Sequence, residues 1–505
     1  MSNRSHALKS FFFDLLGQFS IQIATFIVTP IFITNINDAL YGLWLTVGAV
    51  VMWFSLADGG IGISLTRHLV SLRVKNGNIV DVINSAVFFF LIISFLLILL
   101  SIPIYAFLID FFHIQPTDRR VFQLLYEFSV AACVANLLSS IYSASLESYR
   151  YLVLVRNINS ITILLSLLFS AILVLIYKDI IYLALSQLLG AISRLFLLYY
   201  YTKANIQEYK LKIISNFSIL KKIIKDGGFF QLSRIANIVS TSTDTVFITS
   251  FLGPTLVPIY TFTTKLPQMA SITLASKVPN ILFVGFSELI ENNQLDKVKN
   301  IFQSMLVLLV RFGLFFSIYI FFFNALFIDL WVGKKYFAGS AINIIIVILM
   351  LYDFIIRGSI GIIYAYGNFK KIGIFSIAEV FINVTLSIIF IKTYGLIGLI
   401  LATLLSRFFT TGYLFIRFTS ANSLIDRKLV KQLVFVVITA IPTVITLFFF
   451  DQIYTSSSWV KVIVSFSIGI LINFISYDLR KWLKVRKTMN LKDQFYYLML
   501  NSSGR

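Results

Sequence analysis

Long apolar runs, broken by short polar or basic segments, recur along the whole chain. A helix needs about 20 apolar residues to cross ~30 Å of hydrocarbon. Stretches of that kind fall at approximately 11–34, 41–66, 82–109, 121–146, 158–177, 180–201, 228–252, 258–285, 301–328, 339–366, 372–391, 396–416, 432–450 and 459–476. This pattern predicts an all-α, polytopic membrane protein of about 14 transmembrane helices. Runs such as Ala86–Ile104 and Phe435–Phe450 are too apolar for a soluble surface. Only 13% of the 505 residues are charged. A globular domain carries about 25%, so no sizeable soluble domain is expected.

The longest polar connection, 202–227, divides the spans. It predicts an N-terminal six-helix lobe over 1–201, a second over 228–417, two additional transmembrane helices within 418–476 and a basic tail over 477–505. The two lobes look related. The first span ends Ile31-Phe32-Ile33-Thr34 with Tyr41 beyond it, and the seventh ends Val246-Phe247-Ile248-Thr249 with Tyr260 beyond it. Each lobe also opens on a Phe-Phe pair, Phe11-Phe12 and Phe229-Phe230. Internal repeats in membrane proteins point to transport, with the substrate site at the repeat interface.

Charge fixes an orientation. Of 42 lysines and arginines, about 28 fall at the two ends and in alternate loops, and such loops stay cytoplasmic during insertion. The opposite loops hold Arg119, Arg120, Lys178, Lys334, Lys335, Lys392 and Lys461. Both termini are therefore expected in the cytoplasm, with 11–33 as an uncleaved first span. A net charge of +20 would elsewhere suggest nucleic acid. Here the bases are dispersed in short loops beside spans and suit anionic lipid, so no nucleic-acid partner is expected. The densest cluster, Arg480-Lys481-Trp482-Leu483-Lys484-Val485-Arg486-Lys487, resembles an interfacial anchor.

Catalytic chemistry is not apparent in the residues. The one cysteine, Cys133, lies in an apolar run, and three scattered histidines suggest no metal site. No Gly-rich phosphate loop with a following Lys is present, and the loops opposite the basic side are too short for a catalytic domain. The chain is expected to be a secondary transporter rather than an enzyme, without a cofactor beyond a coupling H+ or Na+.

Charged side chains inside spans are costly and face a cavity or a partner. The acids are Asp14, Asp58, Glu127, Asp244, Asp353 and Glu379; the bases are Arg194, Arg234, Lys265, Lys277, Arg311, Arg357 and Arg407. In the first span Asp14, Gln18, Gln22, Thr25 and Thr29 share one helical face, and in the seventh Arg234, Asn237, Thr241 and Asp244 do the same. Such stripes suit either a central cavity or polar contacts between packed helices. Thr261, Lys265 and Gln268 share a face near Pro267. Lys277 is placed to snorkel. Asp353 and Arg357 are spaced to pair. Arg194, Arg311 and Arg407 fit either snorkelling or an inner vestibule. In Ala57-Asp58-Gly59-Gly60-Ile61-Gly62 three glycines surround an acid, which suggests a gating or ion-binding element.

Two segments carry a family resemblance. Tyr41-Gly42-Leu43-Trp44 leads into Leu56-Ala57-Asp58-Gly59-Gly60-Ile61-Gly62 and Arg67; later come Ile259-Tyr260-Thr261-Phe262-Thr263-Thr264-Lys265-Leu266, Val278-Pro279 and Phe286-Ser287. The chain resembles the multidrug/oligosaccharidyl-lipid/polysaccharide exporter superfamily in its polysaccharide (O-antigen) flippase branch, over its whole length and two-lobe layout. The resemblance implies two six-helix bundles in a V, opening alternately to each side of a bacterial inner membrane. It also implies translocation of an undecaprenyl-diphosphate-linked oligosaccharide, with polymerase and chain-length proteins as candidate partners. On that reading Lys265 and Arg234, then Arg311 and Arg357, would hold the anionic headgroup. Asp14, Asp58, Asp244 and Asp353 would couple a cation or balance those bases, and Gln18, Gln22, Asn237, Thr241 and Gln268 would complete the polar lining. A cation-coupled multidrug exporter of the same superfamily is the alternative. An integral-membrane polymerase or ligase would need an outside catalytic loop.

Overall fold

The structure, a computed structural model, describes residues 3–75, 78–206, 209, 217–271, 275, 277–454 and 457–476. The basic tail 477–505, part of the connecting segment and the side chains of Asp14, Asn237 and Lys277 lie outside that description. The described residues are helical, without strands. In chain order the helices are α1 (Asn3–Asn35), α2 (Asp38–Phe54), α3 (Ile61–Val74), α4 (Ile79–Phe111), α5 (Arg119–Ser148), α6 (Leu152–Tyr177), α7 (Ile181–Asn205) and α8 (Phe217–Leu252). They continue as α9 (Leu256–Ala270), α10 (Lys277–Glu291), α11 (Leu295–Trp331), α12 (Ser340–Ile356), α13 (Ile360–Ala365), α14 (Phe369–Arg407), α15 (Tyr413–Ala421), α16 (Arg427–Ile453) and α17 (Trp459–Ser476).

Among the described residues, 10 stretches are long and apolar enough to cross a membrane, against the fourteen the sequence pattern suggests. The difference has physical causes. Phe369–Ala421 counts as one stretch, yet it folds back on itself at Gly395, where φ is 57° and ψ −135°. Only glycine adopts that backbone readily. Asn383 on the first arm donates to Thr403 (3.0 Å) and Ser406 (3.4 Å) on the second. A Cβ at Gly398 would meet the Phe390 carbonyl oxygen at 2.1 Å, so the arms close only on a bare Cα. The stretches α9 and α10 are 15 residues each, and α8 carries several charges.

The predicted second span is likewise not one helix. α2 ends at Phe54, a 3-10 turn follows over Ser55–Asp58, and α3 restarts at Ile61. Between them Gly59 and Gly60 both take left-handed φ, 59° and 74°. Side chains with a Cβ avoid that region.

Contacts divide the chain into two units, Met1–Pro258 and Ile259–Arg505. In the first, α5 packs on α7, α1 on α6, α6 on α7, and α2 on α8. Small residues set the close approaches, as between packed membrane helices. Ala132, Ala135 and Ala191 join α5 to α7, and Gly190 sits against Ser166, whose hydroxyl donates to the Ser186 carbonyl (2.7 Å). The Cys133 thiol is buried, 4.0 Å from the Val51 carbonyl oxygen. In the second unit α11 packs on α12, α16 and α17. Its core is built on Phe302, Phe323, Phe354 and Leu429.

Large apolar side chains also point outward. Phe95 and Phe381 are 66% and 70% exposed. A water-facing surface carries no such continuous apolar cover; a lipid-facing one does. The protein is a multi-pass helical membrane protein.

Candidate functional site

Charged residues of the spans gather in two clusters, one in each unit. In the first unit the left-handed glycine pair closes the 3-10 turn, the Gly59 amide donating to the Leu56 carbonyl (3.1 Å), and interrupts the α-helical series of donors. Side chains of α8 fill that gap. Gln231 donates to the Leu56 carbonyl (2.6 Å), and the Arg234 guanidinium reaches the Ser55 carbonyl (3.4 Å) and the Asp58 carboxylate. Asp58 also accepts from the Gly60 amide (3.1 Å). Above this point Trp53 donates to Ser242 (2.5 Å), and Thr46 bonds Thr249 (2.5 Å). Asp58, expected to couple a cation or to balance the cavity bases, forms an ion pair with Arg234 across the break in the second span.

The polar stripes are divided in use. On α1, Thr25 and Thr29 donate to carbonyls one turn back and so spend their protons within the helix. Gln18 is exposed and Gln22 half-buried. On α8, Thr241 is exposed while Asp244 is buried.

The second cluster lies on α12 and the two arms of α14. Asp353 pairs with Arg357 one turn on (3.0 Å), as their spacing predicts, and also with Arg407 (2.8 Å). Arg407 lies 3.7 Å from Glu379 on the opposite arm. Thr411 donates to Glu379 (2.9 Å), and Thr410 lies 3.4 Å from the same oxygen. Tyr352 donates to the Arg407 carbonyl (2.7 Å). Two guanidinium groups therefore face two carboxylates, and Arg407 is 7% exposed.

Helix irregularities frame this cluster. α12 gives way to a 3-10 turn over Arg357–Ser359. Immediately after Arg407 the chain makes a π turn over Phe408–Gly412. π turns inside helices concentrate at functional positions. Arg407, for which snorkelling or a vestibule was expected, is instead a buried bridge. Glu379 was among the in-span acids but outside the predicted site. The hairpin at Gly395 brings the two together, and no local spacing rule reports that register.

The other predicted bases are separate from this cluster. Arg311 donates to the side-chain oxygen of Asn473 (2.8 Å) and to its carbonyl, tying α11 to α17. Lys265 is half-buried on α9, and no described residue pairs with it; Gln268, on the same helix, is exposed. Lys461, counted as a loop base, is buried in the first turn of α17 and binds the Asp451 carboxylate (2.8 Å). Among the described residues no group of His, Cys, Asp and Glu is arranged to hold a metal.

Comparisons with known proteins agree with this architecture. No protein of curated function matches the chain by sequence. A lipid II flippase MurJ in an inward closed conformation superposes with a TM-score of 0.61 at 17% identity, covering 90% of this chain and 97% of its own. An inward-facing multidrug resistance MATE family transporter of the MOP superfamily gives 0.61 at 14% identity, covering 79% and 95%. A MOP superfamily transporter from Pyrococcus furiosus gives 0.53 at 14% identity, covering 82% and 94%. At these identities the likeness establishes the fold. The family model for polysaccharide biosynthesis proteins matches residues 7–289, more than half the chain. The chain thus belongs to the polysaccharide biosynthesis protein family, within the multidrug/oligosaccharidyl-lipid/polysaccharide exporter superfamily.

Proposed function

We propose that the protein is a flippase that carries an undecaprenyl-diphosphate-linked oligosaccharide, such as an O-antigen repeat unit, from the cytoplasmic to the outer leaflet of a bacterial inner membrane by alternating access. The family match over 7–289 carries this reading. Physical logic supports it. A diphosphate headgroup does not cross hydrocarbon unaided, because an uncompensated charge there is costly. Fixed cations in a polar path offset that cost, while the lipid tail stays in the bilayer.

Lys265 is the preferred headgroup cation among the predicted bases, since no described residue neutralises it. Arg234 and Arg357 are matched by Asp58 and Asp353, which suits reorganisation during transport better than permanent substrate contact. Asp58, Asp244 and Asp353 remain the candidate acids for coupling to H+ or Na+. On this reading Lys265→Gln lowers surface polysaccharide about ten-fold or more in a deletion strain, the scale of one lost charge-assisted contact. Unchanged polysaccharide would remove Lys265 from the site.

A second reading, a cation-coupled multidrug exporter, is favoured by the buried carboxylates Asp353 and Glu379 sharing Arg407. It predicts drug sensitivity in the deletion strain with intact surface polysaccharide. The flippase reading predicts the reverse.

A further inference from the structure

A cavity of about 500 Å³ opens inside the first unit, lined by α3, α5, α6 and α7, and neither Asp58 nor Arg234 is among its lining residues. Its lining mixes Gly62 and Ala144 with polar side chains, of which Arg194, Arg67, Asn136, Ser139, Ser140 and Glu147 are the chemically informative ones. It lies toward the end of the helices that leads into the basic loops. α3 runs on from Arg67 to Arg73 and Lys75, and α5 stops at Ser148 beside Arg150.

Arg194 is the informative residue. It projects from α7 in the middle of an apolar stretch, and no described residue forms an ion pair with it. Its Nε is buried without a hydrogen-bond partner, as is the Asn136 side-chain oxygen on α5. Of the other span arginines, Arg234, Arg357 and Arg407 face carboxylates and Arg311 is bonded to Asn473. Buried cations are held in place by partners. An arginine kept without one, on the wall of a polar cavity, calls for a partner that arrives with a ligand.

The remaining walls say what kind of ligand. Ser139 and Ser140 each donate to a carbonyl of their own helix, at 2.8 and 2.6 Å. With their protons used, their hydroxyl oxygens offer the cavity lone pairs only. Glu147 is also an acceptor. Arg156 lies 3.8 Å from it and offsets its charge. One side of the cavity thus accepts hydrogen bonds while Arg194 and Arg67 donate them. A fully ionised diphosphate has no donors for the serine side, and a neutral sugar has no anion for the arginines.

We propose that this cavity is a subsite for a phosphorylated carbohydrate headgroup, with phosphate on Arg194 and Arg67 and sugar hydroxyls on Ser139, Ser140 and Glu147. Planar guanidinium groups match phosphate oxygens. The proposal rests on the flippase reading and adds to it a second station, within one unit and at its basic end.

The test uses the full chain in phosphatidylcholine nanodiscs and native mass spectrometry. The probes are glycosylated undecaprenyl diphosphate, its unglycosylated form and phosphatidylglycerol. Wild-type protein is expected to retain the glycosylated lipid above phosphatidylglycerol. Arg194→Gln lowers that retention about ten-fold or more. Ser140→Leu, which fills the cavity without touching a charge, lowers retention of the glycosylated lipid and spares the unglycosylated one. Arg194→Gln removes a half-buried charge that no described residue pairs with and is expected to fold, so its binding is readable even if Ser140→Leu is unstable. Wild-type retention by Arg194→Gln would overturn the subsite and leave the flippase reading standing. Parallel loss of phosphatidylglycerol would reduce the cavity to a general contact for anionic lipid. Failure of wild-type protein to retain either undecaprenyl lipid would sink the flippase reading and the subsite together.

Discussion

Arg407 touches two carboxylates from different helices, and Arg357 shares one of them. Removing one partner of a buried pair leaves the other uncompensated, at about 3–5 kcal/mol. Arg407→Leu is therefore expected to lower the thermal unfolding midpoint markedly in detergent. Adding Glu379→Gln should restore part of the loss, because the carboxylate left without an arginine goes with it, whereas Asp353 keeps Arg357. Purely additive losses in that cycle would show that the residues do not act as one network. Of this cluster the Asp353–Arg357 pair was legible in the sequence, since four residues of helix fix its geometry. Arg407 and Glu379 were not, because their meeting depends on how far each lies from a reversal. The same holds for Asp58 and Arg234, joined across nearly two hundred residues.

At the scale of elements, the breaks carry the information. The Asp58-Gly59-Gly60 motif was readable as a bend, and the structure makes it a full interruption with two left-handed residues. The reversal at Gly395 falls in the gap expected between the spans 372–391 and 396–416, beside the loop base Lys392. Capping is the other device at this scale. Asp426 accepts from the Leu429 amide (2.9 Å) at the start of α16 and pairs with Lys299 of α11 (3.1 Å). The amide, a Gln303 contact and the lysine hold its carboxyl well below the usual carboxylate range. A folded-state value below the unfolded one contributes stability above the ordinary carboxylate pKa, and that contribution is lost as pH falls below it. Asp426→Asn keeps the cap but not the charge. The midpoint difference between wild type and Asp426→Asn should hold steady from neutral pH to about 5 and shrink below about 4. A difference that grows on acidification would contradict the assignment.

For the whole molecule, the class was legible because apolar run length and the lipid environment are tied by hydrocarbon thickness. The number of spans was less so, because interrupted helices such as α2–α3 and short ones such as α9 and α10 blur the link between run and crossing. The orientation proposed from basic loops is open to direct test. Thr117 and Asn292 are exposed at turns assigned to opposite faces. With both termini in the cytoplasm, a cysteine at position 117 should react with an impermeant maleimide in intact cells. One at 292 should react only after permeabilisation, and the opposite pattern would invert the topology.

That experiment is made simple by Cys133, whose sulfur is enclosed between α2 and α5. Because it is also the chain's one thiol, the native protein is a silent background for any sulfhydryl reagent. Spin labels, fluorophores or crosslinkers can be introduced at chosen positions without first rebuilding the molecule, and distances between pairs of them can follow the transport cycle in the otherwise native sequence.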